Sequence, residues 1–280
     1  MTVENELVRI GNPIIRAGNA KLVLPEYAMP DLINTTIPSE SDLYDDVLTQ
    51  EYPIGAQLIM GFKGIWRYSK AGAAMTAVGF LKGNYTQCPG KAGNSVGSGF
   101  EGALYAAAAA GATSCQIADT AATKNLYQGG LLTVYNDTDS VYEHHYIVGN
   151  DASDGTSTTL YLLEGFAKAI TTSYGVTIYL SPYYNIRAMS GGYMSALGWA
   201  KFSVASGYYF WLQTAGRISG VTGASTWPGQ TQYYRDVYSN TDGSLIGYTA
   251  GYQKVGFLLE RTASDYGDND IMLQLDYPEG

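Results

Sequence analysis

Three groups of residues in this chain have types and spacings that could do chemistry. GNSVG at 93–97 fits the G-x-S-x-G pattern that exposes a nucleophilic serine, with Ser95 followed by Asp119 or Asp137 and then by His144 or His145. Assembled in space, such a set would carry out acyl transfer, the histidine taking the serine's proton. The pattern needs a buried strand running into the serine, however, and TQCPGKA before it is a polar Gly/Pro loop. The spacing is also short for a hydrolase sheet, so the stretch reads as a flexible glycine loop and no catalytic residue is assigned.

The second group could bind metal. His144 and His145 are the only histidines and are adjacent in EHHYIVG. On a strand, neighbours point to opposite faces, so the two rings cannot share one ion. Asp265, Asp268 and Asp270 in DYGDND supply oxygen ligands without the spacing of an EF-hand loop, which reads as an acidic turn, with a bound Ca²⁺ as the alternative. Neither metal nor cofactor is expected. Cys88 and Cys115 are too few for a disulfide framework and read as free, small apolar residues. The N-x-T sequons at Asn34, Asn84 and Asn136 carry no meaning without a secretion signal.

The third group lies in YPIGAQLIMGFKGIWRYSKAG, residues 52–72, where an arginine sits between two large aromatics. At a period of two, Trp66 and Tyr68 share one face and Ile65 and Arg67 the other. The aromatics would pack on a core, and Arg67 would face outward toward a carboxylate or a neighbouring subunit. A solvated strand face is the alternative. Trp211 is expected in the core of a second β module. Tyr27 and Tyr44, on the N-terminal segment, join Arg67 as candidate interaction residues.

The elements that would position these residues are strands. The 280 residues include 34 glycines, and tyrosine (25) far outnumbers phenylalanine (7) and tryptophan (4), which suits short strands with many turns. Segments such as AQLIMGF, GLLTVYN, TTLYLLEG, GVTIYLSP, YYFWLQTAG and VGFLLERT alternate or run apolar over strand-like lengths. FEGALYAAAAAGA, residues 100–112, is the one substantial helix candidate because alanine favours it, a small-residue strand or loop packed closely against a neighbour being the alternative. A shorter helix is expected within SESDLYDDVLTQ, capped by Ser39 or Ser41. Residues 1–50 hold four of the nine prolines and an acidic cluster, and predict an extended arm that lies on something else. The expectation is a mainly β chain, with short antiparallel strands in sandwich or barrel-like modules, an extended N-terminal arm and at most one or two short helices. Its divisions would be the arm (1–50), a first β region (51–190) with an Ala/Gly-rich insertion near 89–112, and a C-terminal β module (191–280).

Net charge limits the partners. At −9, with a pI near 4.6, the surface repels nucleic acid and anionic membranes, and neither is expected as a partner. No apolar run long enough to span a bilayer occurs, and MTVENELVRI lacks the layout of a signal peptide, so a protein made and kept in a cytoplasm is expected.

YPIGAQLIMGFKGIWRYSKAGAA, with YQGGLLTVYN, HHYIVGN, TTLYLLEG and SPYYNI, resembles a capsid-associated virion protein of tailed bacteriophages. YYFWLQTAGRISGVTGAS, followed by PGQ and SLIGYTAGY, is similar to the β domains of phage head-decorating proteins. The resemblance spans most of 51–262, through the order of its motifs. It implies a structural, non-enzymatic protein on the capsid exterior that binds the major capsid protein and reinforces the shell as a dimer or trimer. A tail or receptor-binding protein that recognises host glycans through exposed aromatics is the alternative.

Overall fold

The computed structural model describes residues 14–25, 27, 36–85, 99–136, 138, 140–191, 194–223, 235–261 and 269–276. Strands hold 48% of the described residues and helical turns 3%, so register fixes where side chains go. In chain order the strands are β1 (Ile14–Ala17), β2 (Ala20–Val23), β3 (Gln57–Met60), β4 (Ile65–Ala71), β5 (Leu81–Tyr85), β6 (Gly99–Ala103), β7 (Ser114–Ile117), β8 (Leu131–Asn136) and β9 (Val141–Asn150). They continue as β10 (Thr158–Leu162), β11 (Gly175–Tyr179), β12 (Tyr184–Ala188), β13 (Met194–Trp199), β14 (Tyr209–Ile218), β15 (Asp236–Ser239), β16 (Leu245–Ile246), β17 (Lys254–Arg261) and β18 (Asn269–Gln274).

Two sheets result. The larger runs β1-β2-β3-β4-β12-β5-β13-β14-β18-β17-β15-β16, and β14 also pairs with β4. That extra pairing closes β4, β12, β5, β13 and β14 into a five-stranded barrel, which removes the exposed edges of those strands. The ring is antiparallel except where β12 runs parallel to β4. The smaller sheet, β6-β11-β8-β9-β10-β7, curls into half a barrel. Its outer strands approach each other through a bridge between Leu104 and Ile117.

The smaller sheet spans residues 99–179 and is inserted between β5 and β12 of the larger. The sheets therefore do not divide at residue 190 as the composition suggested: β1–β5 and β12–β18 belong together. Trp66, Tyr68 and Trp211 accordingly share one aromatic cluster with Tyr52 instead of marking two modules. The reason is register, because Tyr68 lies directly opposite Trp211 across the β4–β14 ladder.

The described part of the N-terminal region is no detached arm. β1 and β2 form a hairpin whose second strand pairs with β3, and Leu22, Leu24 and Leu43 are buried with Trp66 and Tyr68. Within SESDLYDDVLTQ, Ser41–Tyr44 make a single 3-10 turn. Neither serine caps it by accepting a backbone N–H. Ser39 instead donates its own N–H and hydroxyl to Asp42 Oδ2, at 2.7 and 2.9 Å.

The helix expected at 100–112 is absent. Phe100–Ala103 belong to β6, paired with β11, and the alanines beyond are held by bridges at Leu104 and Ala108. Small side chains permit this close backbone approach, and tertiary pairing outweighs alanine's helix preference, which amounts to less than about 1 kcal/mol per residue.

Deleting residues 1–25 should destabilise the fold. Leu22, Val23 and Leu24 are each at most 1% exposed. Fully burying such side chains stabilises by about 1.5 to 3 kcal/mol apiece, so a loss of at least about 4 kcal/mol is expected. Urea unfolding checks this, and an unchanged midpoint would show that the hairpin adds nothing.

Candidate functional site

Arg67 is buried, contrary to the outward placement expected for it. At 8% exposure its guanidinium forms a two-pronged pair with Asp276, Nε to Oδ2 at 2.5 Å and Nη2 to Oδ1 at 3.0 Å. Nη1 donates to the Gly55 carbonyl at 3.0 Å, and the cation lies 5.6 Å from the Tyr183 ring centre. Asp276 also accepts from Thr214 Oγ1 at 3.2 Å and Gln57 Nε2 at 3.4 Å. The sequence alternation placed Trp66 and Tyr68 correctly on one face. It could not show that the opposite face is covered too, because that cover comes from residues far along the chain.

Tyr27 is likewise used inside the molecule. Its hydroxyl donates to the Ile54 carbonyl and its ring lies against Gly129, which leads into β8 of the smaller sheet. Burial pushes its phenol well above the usual range, partly offset by Arg67. Arg67 and Tyr27 thus line one cavity of about 410 Å³ between the sheets, with Pro25, Tyr146, Pro182 and Tyr183 among its walls. Tyr44 remains 52% exposed, its ring 4.6 Å from the Lys201 ammonium, which donates to its hydroxyl at 3.1 Å.

The catalytic pattern does not assemble among the described residues. Ser95, Asp137 and Cys88 lie outside them. Asp119 accepts the Tyr127 hydroxyl at 2.5 Å. The histidines diverge as strand alternation requires: His145 is buried beside Glu143 and Phe166, while His144 is exposed and meets Thr133 Oγ1 through Nδ1 at 3.1 Å. Asp265 and Asp268 are also outside the described residues, and Asp270 pairs with Arg217. No cluster of three or more His, Cys, Asp or Glu that could hold a metal occurs among the described residues. Cys115 is buried and its thiol is pushed up to about 12 by burial, which makes it inert at neutral pH.

Sequence reasoning missed a surface on the smaller sheet. Register lays out three rows on its outer face: Gly175–Tyr135–Tyr142, Thr177–Thr133–His144 and Tyr179–Leu131–Tyr146, contributed by β11, β8 and β9. The opposite faces of these strands carry the buried Leu132, Val134, Ile147, Val176 and Ile178. Glycine at 175 is required because the Tyr135 ring lies across it, and a Cβ there would come within 2.6 Å of the ring. Tyr142 packs edge-on to His144 at 5.0 Å. Tyr142, Tyr146 and Tyr179 are 68%, 63% and 44% exposed. The signal was the alternation in GLLTVYN and VYEHHYIVG, whose outward positions hold Tyr, Thr and His. Their assembly into one face needed the pairing of β8 with both β9 and β11.

Lys82, on β5, was also missed. It is fully buried, donates to the Ala77 carbonyl at 2.5 Å, and burial lowers its ammonium to about 8.

No protein-family model matches this chain, and no curated protein or solved structure does so either. No helix among the described residues is long and apolar enough to cross a membrane.

Two outcomes are expected from these interior charges. Arg67→Ala leaves Asp276 buried without its cation and should cost about 3 to 5 kcal/mol. Chemical denaturation of the isolated protein measures this, and a loss within about 0.5 kcal/mol would mark the pair as a surface contact. For Lys82 the folded state holds its proton more weakly than the unfolded chain. Its contribution to stability should therefore rise with pH from about 8 toward the unfolded lysine value near 10.5. Lys82→Met should be more stable than wild type at neutral pH, and the difference should shrink as pH climbs through that window. A difference independent of pH would mean that the amine is not desolvated.

Proposed function

We propose that this chain is a structural virion protein of a tailed bacteriophage, one that binds the outside of a capsid and stabilises it as a symmetric oligomer. The observation that best supports this reading is Phe62. It is 93% exposed on the turn Gly61–Lys63 between β3 and β4. Gly64 sits at φ 140° behind it, against the Ala215 carbonyl, where any side chain would clash. Lys63 pairs with Glu40 at 2.5 Å, tying this turn to the segment that carries Tyr44 and Leu48, themselves 52% and 67% exposed.

A large aromatic presented to water on an anchored turn, near further exposed apolar groups, has the form of an interface anchor that fills a partner's pocket. The acidic balance of the chain suits the outer surface of a shell better than its DNA-facing lumen. Binding only to the assembled shell would reinforce that shell by mass action.

Reconstitution onto heads that lack the protein provides the test. Decorated heads should lose integrity at a higher temperature than bare ones, and equal melting would remove the cementing role. Phe62→Ala should weaken attachment at least about tenfold, as loss of an interface anchor does. The isolated protein's own stability should stay within about 0.5 kcal/mol. Undiminished attachment would exclude Phe62 as the anchor.

A further inference from the structure

We infer that the outer face of the smaller sheet, together with the cavity at its border with the larger sheet, is a binding site for a neutral oligosaccharide chain. The two features are continuous through Tyr146. This residue is the last of β9 to pair with β8 and also lines the 410 Å³ cavity. From Tyr142 through His144 to Tyr146 the row spans four residue steps, roughly 14 Å of strand, enough for two or three sugar rings laid end to end.

The chemistry of the surface selects the ligand. Tyrosine rings give flat apolar area for the C–H faces of a pyranose, and their hydroxyls give hydrogen bonds at the rim. His144 engages Thr133 through Nδ1, which leaves Nε2 for a ligand hydroxyl. The three outward rows of β11, β8 and β9 hold no charged side chain, and the one carboxylate that continues them onto β6 is Glu101, beside Thr177, in a chain whose net charge is −9. The cation at the cavity wall, Arg67, is already matched by the two oxygens of Asp276. A phosphate, sialic acid or uronate would find no uncompensated positive charge, and a cationic partner no concentrated negative one. The neutral polyhydroxyl chain is the class that satisfies rings, hydroxyls and charge together.

This inference does not depend on the capsid reading and is tested without capsids. The full chain is applied to immobilised neutral oligosaccharides of glucose, galactose, mannose, rhamnose and N-acetylglucosamine, beside sialylated and uronic-acid chains. Binding to at least one neutral chain is expected, and it should persist at high salt because no ion pair is involved. Tyr142→Ala and Tyr146→Ala should each lower that affinity about tenfold or more, as loss of a stacking ring does. Both positions are exposed, so thermal melts should stay unchanged. Tyr248→Ala, which removes a tyrosine 63% exposed beyond β16, should leave binding intact. Absence of binding to every neutral chain, binding confined to acidic chains, or affinity indifferent to both face variants would each overturn the inference. Loss of attachment to phage heads in the two variants, without any glycan binding by wild type, would show the face to be a protein interface and would overturn it equally.

Discussion

Asp276 holds the larger sheet together at the point where its parts of the sequence meet. The carboxylate receives Arg67 from β4, Thr214 from β14 and Gln57 from β3, and lies two residues beyond the end of β18. A carboxylate taken out of water is tolerated only when its charge is matched and its lone pairs are occupied, and here four donor groups do both. The geometry constrains more than energy. Arg67 meets Asp276 in the two-pronged way only if β4 is in register with β14 and β14 with β18, which is also the register that packs Tyr68 against Trp211.

Closure of the barrel follows from the same constraint. β4 is the strand shared by the N-terminal hairpin side and the ring, and its pairing with β14 turns an open sheet into a closed one. The alternation of β4 then serves two interiors at once: Trp66 and Tyr68 pack with Leu22, Leu43 and Tyr52, while Ala71, on the opposite face, packs with Ile186, Phe210 and Leu212. A strand buried on both faces is expected to be apolar throughout. Arg67 and Ser69 are buried exceptions on β4: the serine hydroxyl donates to the Arg67 carbonyl at 3.0 Å, and the arginine is admissible because its counter-ion is built in.

Division of labour between the sheets gives the functional reading its shape. The larger sheet buries Arg67 against Asp276 and presents an anchored aromatic at the β3–β4 turn. The smaller sheet, inserted between β5 and β12, presents the exposed Tyr142, Tyr146 and Tyr179 on its outer face. The two surfaces differ in chemistry, a protruding Phe62 against a flat, hydroxyl-bearing face. They can therefore serve different partners without competing for the same residues.

By itself the sequence determined the class of structure and the faces of its strands. Glycine and tyrosine content, with period-two alternation, specify short strands, and alternation correctly put Trp66 and Tyr68 on one side and His144 and His145 on opposite sides, because the pleat is a local property. It did not determine which strands pair. The insertion of residues 99–179 into a sheet built from both ends, the recruitment of residues 14–24 as a hairpin, and the strand at 99–103 where alanines favoured a helix all depend on contacts distant in sequence. The candidate site divides along the same line. Arg67, Tyr27 and Tyr44 were legible as unusual residues, but only tertiary structure decided that Asp276 turns the first inward, that Gly129 and Ile54 engage the second, and that the third stays at the surface. The tyrosine face became visible only with the register of three strands, since a surface exists only where neighbours are known.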